Sequence, residues 1–137
     1  MNQTRKYQGG CHCGAVRFEA EIDRTAVTNK CNCSFCTKVG SWGVIVKPDA
    51  FRQLSGEEAL GSYQFNSKTT HHPFCKHCGV RPFSHGNLPE LGGEYYSVNI
   101  HCLEDIDFTS LKVQYWDGRN DNWDAGPRSA PFPGGAR

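Results

Sequence analysis

The sequence has no long hydrophobic run and no excess of charge of either sign. No stretch approaches the roughly 20 apolar residues that a membrane-spanning helix needs, and the polar amino terminus lacks the apolar segment of a secretory signal. Fifteen Lys and Arg residues against fourteen Asp and Glu residues give a formal net charge of +1, without the basic stripe that is typical of nucleic-acid-binding proteins. We therefore expect a cytoplasmic protein that binds neither membranes nor nucleic acids.

Helical periodicity is also scarce. No segment has a clear apolar stripe at a spacing of 3.6 residues, whereas alternation is common, as in Val16, Phe18, Ala20 and Ile22 within 15–22. The fold should be mainly β, with little helix beyond a turn after the second cysteine cluster and another near 48–53. Further strands are predicted at 42–46, 60–65, 69–74, 81–84, 95–100 and 111–115.

The size of the chain fits one domain, spanning residues 1–137, with an irregular tail from about residue 118 where Gly, Pro, Asn and Asp are frequent. The hydrophobic content of 37% and the mean hydropathy of −0.60 are low for a packed core. Bound metal would supply stability that packing does not.

Cysteine is the residue type whose distribution stands out. Thiols two or three positions apart can chelate one metal ion, whereas disulfide partners are usually spread along a chain. A reducing compartment also favours metal ligation over disulfides. Seven of the eight cysteines fall into three tight clusters, which indicate zinc (Zn2+) ligands: Cys11 and Cys13; Cys31, Cys33 and Cys36; Cys75 and Cys78.

The number of thiols suggests two kinds of site. A structural zinc ion takes four ligands, whereas a catalytic one takes three and keeps a position for water or substrate. Two pairs and one trio therefore predict one closed and one open site. A single zinc ribbon, built from Cys33, Cys36, Cys75 and Cys78, is the alternative, and spacing alone does not choose between them. Cys102 stands alone and is expected to be a small core residue.

Four ordered blocks of sequence resemble the glutathione-dependent formaldehyde-activating enzyme family, whose eukaryotic relatives include centromere protein V. The resemblance covers about residues 9–123. The blocks are Gly-Gly-Cys-His-Cys-Gly-Ala-Val-Arg at 9–17, Cys-Asn-Cys-Ser-Phe-Cys at 31–36, His-Pro-Phe-Cys-Lys-His-Cys-Gly at 72–79 and Tyr-Ser-Val-Asn-Ile-His-Cys-Leu at 96–103.

This resemblance implies an Mss4-like fold of small, zinc-stabilised β-sheets. It also implies a carbon–sulfur lyase that forms S-hydroxymethylglutathione from glutathione and formaldehyde, so that the partner is a small thiol. A non-catalytic thiol carrier or protein-interaction module with the same fold is the alternative, and the oligomeric state is left open. The implied ligand sets are Cys11, Cys13, Cys75 and Cys78 for the structural zinc, and Cys31, Cys33 and Cys36 for the catalytic zinc.

Other side chains near the clusters have weaker signals. His72 is expected to be a hydrogen-bonded or surface histidine unless its strand borders the open zinc. Phe35 is expected to pack around the metal. Lys38, Lys47 or Arg81 could bind the carboxylates of a glutathione-like ligand, although most charged side chains are solvated.

Overall fold

The computed structural model describes residues 4–65 and 70–132. These residues form a mainly β architecture. Its ten strands are β1 (Thr4–Gly10), β2 (Arg17–Asp23), β3 (Val27–Cys31), β4 (Gly43–Val46), β5 (Phe51–Ser55), β6 (Leu60–Tyr63), β7 (Thr70–Cys75), β8 (Phe83–Leu88), β9 (Gly93–Asn99) and β10 (Lys112–Trp116).

The strands form two sheets. The smaller sheet has the order β1-β2-β5 and the larger one β10-β3-β4-β9-β8-β7-β6. The neighbours in both sheets are antiparallel except for β3 and β10, which pair in parallel with Cys31 opposite Trp116. This parallel pair places the end of β10 beside the second cysteine cluster.

Strand β2 supplies the clearest link between sequence and core. Phe18, Ala20 and Ile22 of this strand, and Val16 just before it, are at most 2% exposed, which confirms the predicted apolar face. The Phe18 ring stacks on Phe51 at 5.5 Å within the smaller sheet and meets the edge of Phe83 of the larger sheet at 5.9 Å. One hydrophobic core therefore joins the two sheets.

Helix is scarce in the described residues. The one α-helix, α1 (Ser34–Val39), buries none of its residues. The remaining helical turns are single 3-10 turns at Pro48–Ala50, Glu57–Ala59, Pro89–Leu91, Ile100–Cys102, Phe108–Ser110, Gly118–Asn120 and Trp123–Ala125. No helix in the described part of the chain is long and apolar enough to cross a membrane.

The predicted helix near 48–53 is wrong beyond its first turn. Pro48 starts a 3-10 turn, as its fixed φ favours, but β5 begins at Phe51 and pairs with β2. The helix expected after the second cysteine cluster instead starts inside it, at Ser34.

The strand predictions differ from the structure mainly in their bounds. The segment predicted at 81–84 begins later and runs further, as Phe83–Leu88, and residue 69 lies outside the described residues. Strands β1, β3 and β5 were not predicted, since each has too few buried apolar residues for a visible alternation.

Candidate metal centres

The first thiol cluster joins two turns that are distant in sequence. Cys11 and Cys13 follow β1, whereas Cys75 ends β7 and Cys78 lies in the turn after it. The four Sγ atoms lie within 4.8 Å of one another. Cys13 Sγ is 3.7 Å from Cys11 Sγ and 3.6 Å from Cys75 Sγ, close to the roughly 3.8 Å edge of a tetrahedron of sulfurs about 2.3 Å from zinc. This cluster could hold one metal ion.

Backbone N–H groups already point at these sulfurs. Val16 N donates to Cys11 Sγ at 3.3 Å and His77 N donates to Cys75 Sγ at 3.4 Å. Gly79, at a φ of 80°, closes the second turn and donates its N–H to Cys75 O at 2.8 Å. Glycine adopts this positive φ more readily than other residues, because it has no Cβ. The two N–H groups that donate to sulfur, those of Val16 and His77, favour the thiolate form that a metal ion requires.

The second cluster is built where β3 passes into α1. Cys31 is the last residue of β3, Cys33 is the N-cap of α1 and Cys36 lies in its first turn. Cys33 N donates to Cys31 Sγ at 3.4 Å, and Cys36 N donates to Cys33 Sγ at 3.3 Å. The three Sγ atoms lie within 4.8 Å of one another, and within the described residues no fourth Cys, His, Asp or Glu joins them.

The electrostatics of the trio are those of a group that a bound cation would stabilise. Hydrogen bonds from the Cys31 and Cys36 thiols lower the pKa of Cys33 far below its usual value, whereas the Cys31 and Cys33 sulfurs, and then burial, raise the pKa of Cys36. One sulfur is thus readily an anion, and its neighbours resist becoming anions beside it. A bound cation would remove this conflict, because it stabilises all three thiolates together.

The partition of the sulfurs follows the two-cluster interpretation. The structure does not assemble the alternative ribbon of Cys33, Cys36, Cys75 and Cys78; the first two thiols belong to one group and the last two to another. Cys102 joins neither group, and burial raises the pKa of its thiol to about 11. It is a partly buried neighbour of the core.

An aromatic cluster covers one side of α1. The Phe35 ring contacts Tyr63, Phe65 and His72, with centroids at 5.7, 5.1 and 4.4 Å. The Arg81 guanidinium lies 4.7 Å above Phe35, and its Nη2 donates to His72 Nδ1 at 3.2 Å. Burial, and then the charge of Arg81, lower the pKa of His72 to about 4. His72 is therefore a neutral, hydrogen-bonded side chain, and Arg81 is engaged beside the trio.

Asn32, a residue that sequence reasoning passed over, connects the trio to the end of β10. This buried side chain donates from Nδ2 to Asp117 Oδ1 at 2.9 Å and accepts at Oδ1 from Arg119 N at 3.0 Å. Arg119 Nε also donates to Asn32 O at 3.2 Å. A Cβ added to Gly118 would lie 2.5 Å from Cys31 Sγ, so this turn fits closely against the cluster.

We predict that Asn32→Ala destabilises the metal-loaded protein by about 2–4 kcal/mol, because it removes a hydrogen bond to a buried carboxylate and one to a backbone N–H. The second cluster should also lose metal at a lower chelator concentration, since Asn32 fixes the backbone between two of its sulfurs. Chemical denaturation and chelator titration measure the two effects. Asn120→Ala, which removes the Nδ2 donor that an exposed residue shares between both Asp117 oxygens, should cost less than about 1 kcal/mol; equal losses in both variants would contradict the role assigned to Asn32.

A cavity of about 250 Å³ opens beside the second cluster, with Cys31 and Cys36 in its wall. Lys30 lines it, whereas the lysines that the sequence suggested as carboxylate ligands were Lys38 and Lys47. Lys38 lies exposed on α1, and Lys47 Nζ donates to Leu91 O at 3.4 Å. Neither of these lysines lines the cavity.

With this geometry established, comparison with known proteins identifies the family. The profile of the family described as glutathione-dependent formaldehyde-activating enzyme matches residues 6–119, which is most of the chain and includes all seven clustered cysteines. The chain belongs to this family. The resemblance seen in the sequence is therefore confirmed.

Individual proteins that are similar to this member of the formaldehyde-activating family agree with the family assignment. A curated Halomonas elongata protein, named provisionally as a glutathione-dependent formaldehyde-activating enzyme, is 33% identical in an alignment of length 79 that covers 52% of this chain and 50% of that protein. The match thus spans about half the length of the curated relative. A crystal structure of a Rhodobacter sphaeroides protein is 34% identical, has a TM-score of 0.67 and covers 80% of this chain and 99% of its own.

Proposed function

We propose that this protein is a zinc-dependent carbon–sulfur lyase that joins a glutathione-type thiol to formaldehyde. Zinc held by Cys31, Cys33 and Cys36 would serve catalysis, and a second zinc held by the four-cysteine cluster would serve stability. Family membership and the Halomonas elongata relative's name support the thiol and the aldehyde. The observation that carries the proposal is a trio of thiols without a fourth protein ligand, beside a cavity.

An all-sulfur donor set suits zinc among the common metals. When bound, the zinc would supply a coordination position for a substrate thiol and lower the pKa of that thiol, as metal ions do for the groups they bind. In the reaction the substrate sulfur forms a bond to the carbonyl carbon. The electron pair of the carbonyl π bond moves to oxygen, which takes up the proton that the thiol has lost. The reverse reaction breaks the carbon–sulfur bond.

The chain's own residues orient and shield this centre. The N–H groups of Cys33 and Cys36 donate to the sulfurs and fix the trio, while Phe35 and its aromatic neighbours cover one side of α1. Burial lowers the pKa of the Arg81 guanidinium, and the nearby Cys36 sulfur opposes this shift. The positive charge of Arg81 would partly offset the net negative charge of three thiolates around one divalent ion.

The rate with protein must be compared with the uncatalysed rate, because formaldehyde and thiols combine without a catalyst. Exchange NMR at equilibrium measures how fast glutathione and S-hydroxymethylglutathione interconvert. We expect the rate to rise in proportion to added zinc-loaded protein, and to rise equally with Cys102→Ser, whose thiol lies outside both clusters. A rate equal to that in buffer would contradict the lyase. Glutathione binding without rate enhancement would favour the carrier or interaction module instead.

A further inference from the structure

The cavity beside Cys31 and Cys36 has one cationic side chain and several aromatic ones in its wall. Its other lining residues include Lys30, Trp42, Trp116 and His101. Lys30 contributes the only Lys or Arg side chain among the described lining residues, and no Asp or Glu lines this space. An anionic group entering it would therefore meet one ammonium and no opposing carboxylate.

Lys30 is held in place rather than extended into solvent. It is half-buried, and its Nζ lies 4.9 Å from the centroid of the Trp42 ring. Trp42 is itself fixed, because its Nε1 donates to Thr28 Oγ1 at 2.7 Å and its ring meets the edge of His101 at 5.2 Å. The aromatic face therefore holds the ammonium at the cavity wall.

Lys30 also has no anionic partner within the described part of the chain. The ion pairs found there join Lys6 and Arg52 to Glu19, and Arg17 to Glu104. Partial burial of an ammonium group costs desolvation energy, and a carboxylate supplied by a ligand would offset that cost. The plain alternative is that the lysine stem only covers Trp42.

We propose that this cavity is a subsite for a carboxylate-bearing arm of the thiol substrate, and that Lys30 is the residue that selects for it. The proposal rests on the proposed function, since it concerns the same thiol. A volume of about 250 Å³ falls below the roughly 300–1,000 Å³ of sites that enclose drug-sized ligands. The cavity therefore accepts one arm of a peptide-like thiol, with its sulfur directed to the trio. Neutral thiols reach the trio without using Lys30.

S-methylglutathione tests the subsite separately from thiolate binding to the metal, because its sulfur carries no proton to lose, while both carboxylates remain. Calorimetry with the zinc-loaded protein should show binding to the parent chain that weakens about tenfold in Lys30→Met, equivalent to about 1.4 kcal/mol. Lys30→Arg should retain most of the affinity. Lys38→Met removes a lysine outside the cavity and should bind as the parent does.

Kinetics provide a second readout. In Lys30→Met the KM for glutathione should rise about tenfold with little change in kcat, and turnover of the neutral thiol N-acetylcysteamine should not change. Undetectable S-methylglutathione binding to the parent, or equal affinity in Lys30→Met, would overturn the subsite even if the parent is an active lyase. If the parent shows no catalysis, the proposed function fails, but the S-methylglutathione series still decides the subsite.

Discussion

Removal of metal from the four-cysteine cluster is expected to unfold the protein. The cluster ties two turns whose cysteines, Cys13 and Cys75, are 62 positions apart, and so fixes the smaller sheet to the β7–β8 turn. Structural zinc contributes about 10–16 kcal/mol of apparent binding energy in zinc-finger peptides, comparable with the roughly 5–15 kcal/mol stability of a whole domain. A chain with a mean hydropathy of −0.60 has little core to replace it.

Two substitutions distinguish the effect of losing the metal from the effect of disturbing the packing of the core. Cys75 is fully buried, so Cys75→Ser also places a hydroxyl in the core, whereas Cys13 is exposed and Cys13→Ser does not. Both variants should lack a cooperative thermal transition in circular dichroism at 25 °C and above, as should the parent in excess chelator. Cys102→Ser should melt close to the parent. A Cys13→Ser variant that melts like the parent would contradict a structural role for the metal.

Strands are predicted best from the sequence where alternating apolar residues match a single buried face. Strand β2 was predictable because its alternation matches a sheet with one buried face. Strand β1 was not, since only Tyr7 and Gly9 are buried among its seven residues. Strand β5 was masked by Pro48, whose preference for a turn is local, whereas pairing of β5 with β2 is a tertiary effect.

The candidate site likewise has some features that the sequence predicts and others that only the fold reveals. Neighbouring thiols such as Cys31 and Cys33 can chelate one ion because they lie only two positions apart, and the sequence shows this spacing directly. The union of Cys13 with Cys75 required the family resemblance, since spacing also allowed the ribbon. The Asn32–Asp117 pair spans 85 residues, and a single sequence has no signal that joins one amide to one distant carboxylate. Polar contacts of that kind become visible only with the fold.

The second large effect is expected at the three-cysteine cluster, where Cys36→Ser should remove one metal ion and the activity while leaving the fold intact. The reason is the position of α1, in which Cys36 and Phe35 are half-buried and no residue is fully buried. Replacing a thiolate ligand by a hydroxyl should weaken metal binding by more than the 10–100-fold that loss of an outer partner costs. The exchange rate of S-hydroxymethylglutathione should then fall to that in buffer.

Metal content distinguishes this result from unfolding. The parent and Cys102→Ser should each contain two zinc ions per chain, and Cys36→Ser one, with an unchanged circular dichroism spectrum. Cys36→Ser that keeps two ions would show that Cys36 is not a ligand. Loss of both ions together would mean that the two clusters are not independent, which would contradict the partition into an architectural site and an open one. One ion with undiminished catalysis would place the chemistry elsewhere on the chain, because the remaining metal would then have four protein ligands and no position for a substrate thiol.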